Sequence, residues 1–200
     1  MAGDPDREGP EAEVDAAQAR LDEAVATEAV AHRLLLDGER GRARVRFHDA
    51  AVLYRQSWEA AKPDAYGRLV GMLKASVLSG SAQEEARYVR ALHLQTESPV
   101  AAYALAISAL VAGDDASARR LAQRLRTASD AFRRAGEGIA AIADRDPQRA
   151  GEAISAIVAD FEAREDHLTG VRIADTALML RELAAARGLE VHVTSPVLPR

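Results

Sequence analysis

A helical hairpin that recurs about every 32 residues constrains this chain more than any other feature of its sequence. The segments YALAISALVAGDDASARRLAQRL (103–125) and AGEGIAAIADRDPQRAGEAISAI (135–157) align at this spacing, and each reads as helix, acidic turn, helix. Apolar or small residues coincide at the pairs Ile107/Ile139, Leu110/Ile142, Ala118/Ala150, Ala122/Ile154 and Leu125/Ile157. Because such a hairpin buries its apolar face only by stacking on its neighbours, the repeat predicts an array of packed hairpins.

The rest of the chain carries helix signals and hardly any strand signal. Ser98-Pro99 and Asp146-Pro147 each place a capping residue before a proline at the first helical position, and Asp114 can cap a third helix. Other predicted starts are Asp64, a capping box over Ser81–Glu84, and Thr169, from which a ninth helix would run to Arg187. Only the segment 189–196 alternates apolar and polar residues, and with nothing to pair against we expect it to lie extended on the helices.

The predicted fold is all-α, with about nine helices in stacked antiparallel hairpins. The turn GDDASA (113–118) resembles a tetratricopeptide-type (TPR) repeat, which implies a TPR-like right-handed superhelix. We expect a disordered leader over residues 1–10, a single helical-hairpin domain over 11–188 and an extended C-terminal tail over 189–200.

Composition excludes several classes of function. The net charge of −5 and the pI near 5.6 argue against a nucleic-acid binder, which normally carries a basic surface. The chain has no cysteine, and no apolar run approaches the roughly 20 residues that span a bilayer. Its first residues are acidic and polar, unlike a secretory signal. The expected location is the cytoplasm, without membrane or nucleic-acid partners.

The stretch Phe161–Gly188 concentrates Glu165, Asp166, His167, Asp175 and Thr176, and it is the strongest candidate for a chemical site. Glu165 and His167 are two residues apart, a spacing that does not share a helix face. Helix capping and solvated charge therefore explain the stretch better than a metal site. With no serine in a nucleophile-elbow context and no phosphate loop, we predict a protein that is not an enzyme and has no cofactor.

Arginines are the other notable cluster. Six of them surround the turn between two predicted helices: Arg119, Arg120, Arg124, Arg126, Arg133 and Arg134. They either form a ridge that binds an acidic protein or peptide, or they are simply a solvated helix face.

The C-terminal segment LTGVRIADTALMLRELAAARGLEVHVTSPVLPR (168–200) combines a last helix, alternating valines and a Ser-Pro-x-Leu-Pro ending. It resembles the end of Immunity-49-type proteins of bacterial toxin systems, and SWEAA (57–61) echoes the same family. The resemblance implies an all-helical protein that neutralises a toxin by binding it.

These observations together predict a non-catalytic protein-binding module, with an immunity or antitoxin-like role as its specific form. One alternative is a small-molecule or catalytic pocket near Tyr54, Trp58 and Tyr103. The other is a structural homodimer built on apolar ends of the array.

Overall fold

The computed structural model describes the backbone of residues 8–199 and the side chains of residues 14–199. Within that range the chain is all-α, as predicted, with nine helices and no strand. The helices are α1 (Glu8–Leu36), α2 (Arg40–Glu59), α3 (Gly67–Ser79), α4 (Gln83–Ala91), α5 (Pro99–Val111), α6 (Asp115–Leu125), α7 (Asp130–Ala143), α8 (Pro147–Glu162) and α9 (Asp175–Ala185). Helix α1 starts within the predicted leader, so residues 8–10 are helical, while residues 1–7 of that leader lie outside the described range.

The 32-residue repeat corresponds to two structural hairpins, α5–α6 and α7–α8. All ten residues aligned by the repeat are at most 3% exposed. Asp114 and Asp146 cap the second helix of each hairpin, accepting hydrogen bonds from the backbone N–H of Ser117 (3.1 Å) and Arg149 (3.0 Å). These two predicted caps are confirmed, and so is Ser98, which accepts from the backbone N–H of Ala101 at 3.5 Å.

The hairpin turns share one backbone motif. Gly113 has a positive φ of 76°, and the next residue donates its N–H to the carbonyl of Ala109 at 2.9 Å. Thirty-two residues later Arg145 occupies the same left-handed conformation with φ 59°, followed by the equivalent bond to Ala141 at 3.0 Å. This is the Schellman ending, which satisfies carbonyls in the last helical turn. Glycines at positive φ repeat it after α1, α3 and α9: Gly38, Gly80 and Gly188.

Three predicted helix starts are wrong. Helix α3 is preceded by Tyr66 rather than capped by Asp64, and α4 by Ala82, with no side-chain cap from the Ser81–Glu84 box. Helix α9 begins at Asp175 instead of Thr169. The apolar side chains of Val171 and Ile173, which suggested a helix, are buried in an irregular segment between α8 and α9.

The first helices of three hairpins form a row, in which α3 packs on α5 and α5 packs on α7. Helix α9 packs against α3 and α7 in this row and also against α8. At the contact with α7 the absence of a side chain on Gly138 makes room for Leu180, since a Cβ there would lie 2.8 Å from Leu180 Cδ1. The last helix therefore occupies the surface that the row of first helices presents.

The C-terminal tail has no regular secondary structure as far as residue 199, turns at residues 196–198 and lies on the helices, with Arg200 outside the described range. Leu189, Val191 and Val193 pack against the core. The backbone N–H of Ala174 donates to the carbonyl of Val197 at 2.9 Å, and Val197 is fully buried. The tail thus fixes the residue that precedes α9.

Candidate functional site: a buried polar cluster beside two cavities

Four ionisable side chains meet in the interior between α1, α3 and α9. Glu28 and His32 lie one turn apart on α1, Lys74 lies in the middle of α3, and Asp175 is the first residue of α9. Glu28, His32 and Asp175 are at most 8% exposed. Burying this many ionisable groups is costly unless they are paired, so we consider how each is satisfied.

Lys74 and Asp175 form a direct ion pair, and their side chains are only 13% and 12% exposed. Asp175 also accepts the backbone N–H of Thr176 at 2.6 Å. Burial opposes both charges, but the attraction within the pair outweighs it: the pKa of Asp175 is held below its usual value, and the pKa of Lys74, which also interacts with Glu28, is raised. Both groups are therefore charged at neutral pH.

Glu28 and His32 are less fully satisfied. Glu28 accepts a hydrogen bond from the Tyr54 hydroxyl at 2.7 Å, while its other oxygen lies 3.9 Å from His32 Nε2, too far for a hydrogen bond. The other ring nitrogen of His32 lies 3.2 Å from the Thr169 hydroxyl. Burial raises the pKa of Glu28 to about 7 and lowers the pKa of His32 to about 4. At neutral pH His32 is uncharged and Glu28 is close to its titration midpoint.

One cavity, of about 260 Å³, opens beside this cluster and is called the polar cavity. His32, Lys74, Tyr103 and Asp175 line it, together with Thr176. Other side chains that line it are Phe132, Arg134, Asp160, Phe161, Arg164 and His167. Asp160 pairs with both arginines, at 2.6 Å from Arg134 and in close contact with Arg164.

A second cavity of about 460 Å³, the apolar cavity, adjoins it on the other side of Lys74. Most of its wall is aliphatic or aromatic: Leu21, Val25, Tyr54, Tyr66, Val70 and Val100. Lys74 and Leu168 line both cavities. Leu168 belongs to the irregular segment between α8 and α9 and is 76% exposed, the highest value among the large apolar side chains that the structure describes.

Unpartnered polar atoms converge on these cavities. Among the described residues, six buried side-chain nitrogen or oxygen atoms lack a hydrogen-bond partner, and every one belongs to a residue that lines one of the two cavities. They are Glu28 Oε1, His32 Nε2, Arg68 Nε, Tyr103 Oη, His167 Nδ1 and His167 Nε2. Thr176 interacts weakly with the Tyr103 hydroxyl, but not in hydrogen-bonding geometry. Because buried polar groups in native proteins are almost always satisfied, this concentration marks the cavities as a candidate binding site.

The sequence prediction for the stretch Phe161–Gly188 was wrong for its central residues. Asp175 is a buried partner of Lys74 rather than a solvated charge, and Thr169 contacts His32 instead of capping a helix. Glu165 and Asp166 are exposed, as expected. A lysine in the middle of the mostly apolar sequence GRLVGMLKASVLS of α3 was a signal of the site, and so was the i, i+4 pair of Glu28 and His32.

Five of the six candidate arginines are distributed over three surfaces, and Arg133 lines none of these. Arg119 and Arg126 line a groove with residues of α7 and α8, and Arg120 and Arg124 line another with Arg90 of α4. Arg134 lines the polar cavity, and Arg133 pairs with Asp130 and Glu137 on its own helix. The role of these arginines in partner binding stays a prediction.

The alternative pocket near three aromatic residues divides between the two cavities. Tyr54 lines the apolar cavity and Tyr103 the polar cavity. Trp58 lines neither of them and instead stacks on Tyr66, with 5.9 Å between the ring centroids.

The polar cluster is not arranged as a metal site, since the described residues contain no group of three or more His, Asp or Glu side chains that could hold an ion. No described helix has the length and apolar character that crossing a bilayer requires. Comparison with known proteins finds no matching family model, no matching curated protein and no matching solved structure. The functional argument therefore rests on the chemistry of the site itself.

Proposed function

We propose that this protein is a non-catalytic binding protein whose ligand is a small polar molecule held in the polar cavity. The observation that supports the proposal is that four of the six unpartnered buried polar atoms belong to residues lining that cavity: His32 Nε2, Tyr103 Oη and both ring nitrogens of His167. An unsatisfied buried group costs about 1–3 kcal/mol, so a ligand that supplies the missing hydrogen bonds recovers part of that cost on binding.

The donors around the cavity define what such a ligand must offer. Lys74 has three N–H groups and spends one on Asp175, and the Tyr103 hydroxyl is free to donate. The His167 ring adds a donor and an acceptor. At about 260 Å³ the cavity is slightly smaller than the roughly 300–1,000 Å³ that drug-sized molecules occupy, so a ligand of metabolite size with hydrogen-bond acceptors fits best.

The test is a thermal-shift screen of the purified chain against small carboxylic acids, phosphates, amino acids and sugars. A ligand that binds only the folded state must raise Tm, and the rise must continue with the logarithm of its concentration once that exceeds Kd. Ala131 is exposed and lines the polar cavity, so A131W should fill the entrance and remove the shift, whereas A116W, on the exposed face of α6, should leave it intact. Failure of every compound class to shift Tm, or a shift that A131W leaves unchanged, would refute the proposal.

A second candidate function is recognition of a protein partner, including the immunity or antitoxin-like role that the C-terminal resemblance implies. One observation favours it: Arg90, Arg120 and Arg124 line a groove that also exposes Leu105 and Leu121, and none of the described residues lining it is acidic. An acidic segment with apolar residues would match this groove.

Its test is direct binding and inhibition of the polypeptide encoded beside this gene. The double variant R120E/R124E should abolish binding, while R133E, whose arginine is already paired within its own helix, should not. Retained binding by the double variant would exclude this groove as the interface.

A further inference from the structure

We propose that the ligand is an amphipathic carboxylic acid, with its carboxylate in the polar cavity and its hydrocarbon chain in the apolar cavity. This inference rests on the proposed function and specifies its ligand. Three features of the paired cavities support it: their charge, the character of their walls and the position of Leu168.

The charge of the polar cavity fits a single negative group. Its lining carries three cations, Lys74, Arg134 and Arg164, against the two carboxylates Asp160 and Asp175. The lining itself carries one net positive charge, which Glu28 beside Lys74 reduces when it is ionised, so a monoanion suits the cavity and a dianion would overshoot. The unpartnered Tyr103 hydroxyl and the remaining N–H groups of Lys74 are the donors that a carboxylate requires.

The apolar cavity suits the rest of such a molecule. Leu21, Val25, Tyr54, Tyr66, Val70 and Val100 give it a large apolar surface, and the carboxylates Glu28 and Asp64 also line it. Transfer of a hydrocarbon chain from water to such a surface is favourable in proportion to its length. Arg68, whose Nε lacks a partner, is the one cation besides Lys74 that lines this cavity among the described residues.

Leu168 connects the two parts. It lines both cavities and is 76% exposed, so a chain that runs from one cavity to the other would cover it. It lies in the irregular segment between α8 and α9, outside any helix. Lys74, the other shared residue, keeps its ammonium group on Asp175 and leaves its aliphatic stem between the cavities.

The experiment is isothermal titration of the full chain with straight-chain carboxylates from acetate to decanoate, below their aggregation concentrations. We expect affinity to rise roughly fourfold per methylene until the apolar cavity is filled. The alcohols of equal length should bind at least tenfold more weakly, because they lack the charge that the polar cavity requires.

Two variants, each with a control, separate the contribution of the hydrocarbon chain from that of the carboxylate. L168Q should reduce the gain per methylene, whereas V45Q, at an exposed valine of α2 that lines neither cavity, should leave that gain unchanged. Y103F should weaken all the acids by a similar factor of about ten, independent of chain length. Y88F, which removes a hydroxyl outside both cavities, is its control.

Each outcome discriminates. Acids that bind with no dependence on chain length would overturn the amphipathic ligand and preserve the proposed function. Equal binding of alcohols and acids would overturn the carboxylate. If no acid binds while another compound class in the thermal-shift screen does, the inference fails and the proposed function stands. If nothing binds in either experiment, both fail.

Discussion

Lys74 in the middle of α3 and Asp175 at the start of α9 form a buried ion pair, although 101 residues separate them in the sequence. The pair holds the first turn of the last helix against the row formed by α3, α5 and α7. It also lies at the polar cavity, so the same two side chains contribute to the packing of the fold and to the candidate site.

Removal of one member of this pair should be strongly destabilising. K74M leaves Asp175 buried without a counter-charge, and we expect the free energy of unfolding to fall by about 3–5 kcal/mol. Urea denaturation followed by circular dichroism measures the change. The double variant K74M/D175L should be clearly more stable than K74M, since it leaves no uncompensated charge. If the double variant is no more stable than K74M, the uncompensated charge of Asp175 is not the cause of the destabilisation.

Glu28 and His32 should have opposite effects on stability between about pH 4.5 and 6.5. The pKa of His32 is lowered from 6.5 to about 4, so below pH 6.5 the unfolded chain takes up a proton that the folded protein does not, and stability falls with acidification. The pKa of Glu28 is raised from 4.5 to about 7, so below pH 7 the folded protein holds the extra proton, and stability rises. Each effect is on the order of 3 kcal/mol.

Because the two effects oppose each other, Glu28 and His32 together should change the free energy of unfolding of the wild type little across that pH interval. Single variants should reveal the effect of each residue separately. E28Q retains an acceptor for Tyr54 and should make unfolding easier as pH falls from 6.5 to 4.5. H32N should reverse the sign, with stability increasing on acidification. Urea unfolding at four pH values tests both slopes. If the free energy of unfolding depends on pH in the same way in the wild type and both variants, the shifted pKa values of Glu28 and His32 are refuted.

Y103F should not destabilise the free protein, in contrast to most changes at a buried tyrosine. The hydroxyl has no hydrogen-bond partner and the residue is 5% exposed, so its removal relieves an unsatisfied group. We expect the free energy of unfolding to be unchanged or raised by about 1 kcal/mol. Thermal and urea unfolding of the ligand-free protein provide the measurement. A loss of 2 kcal/mol or more, on the scale of about 1–3 kcal/mol for breaking a buried hydrogen bond, would mean that the hydroxyl is satisfied.

Three helical glycines should respond differently to alanine. At Gly136 a Cβ would lie 2.9 Å from the backbone carbonyl oxygen of Ala122, and backbone cannot easily move aside, so G136A should destabilise by roughly 1–3 kcal/mol. At Gly138 the obstacle is the side-chain end of Leu180, and the loss should be smaller. Gly151 is the control: its nearest contact is Val191 at 3.8 Å, so G151A should stabilise by about 0.5–1 kcal/mol through helix propensity. Melting temperatures of the three variants establish the order.

The sequence predicted the fold wherever the deciding interactions are local. Asp114, Asp146 and Ser98 cap helices by bonding to backbone only three residues ahead, and the 32-residue repeat reports the same apolar faces that the hairpins bury. Thr169 was misassigned because the apolar residues that follow it are buried by tertiary contacts without forming a helix. From the sequence alone, apolar residues buried in an irregular segment cannot be told apart from the apolar face of a helix.

Of the candidate site, the sequence placed only Tyr54 and Tyr103 in a pocket, as an alternative interpretation, because the members of the site come from distant parts of the chain. Glu28 and His32 belong to α1, Lys74 to α3, Tyr103 to α5 and Asp175 to α9. Each of them, considered alone, looks like an ordinary helical residue with a solvated or capping role. Only the packing of α9 against the first helices of the hairpins brings them within reach of one another.

The position of α9 also limits how many hairpins can lie between α3 and α7. An open stack of hairpins can gain or lose a repeat with little consequence for the others, because each repeat contacts only its neighbours. Here an 11-residue helix, about 16 Å long at 1.5 Å per residue, reaches both α3 and α7. A fourth hairpin inserted between them would move one of these contacts beyond its length. The row from α3 to α7 has thereby lost the capacity to grow by insertion of a further repeat.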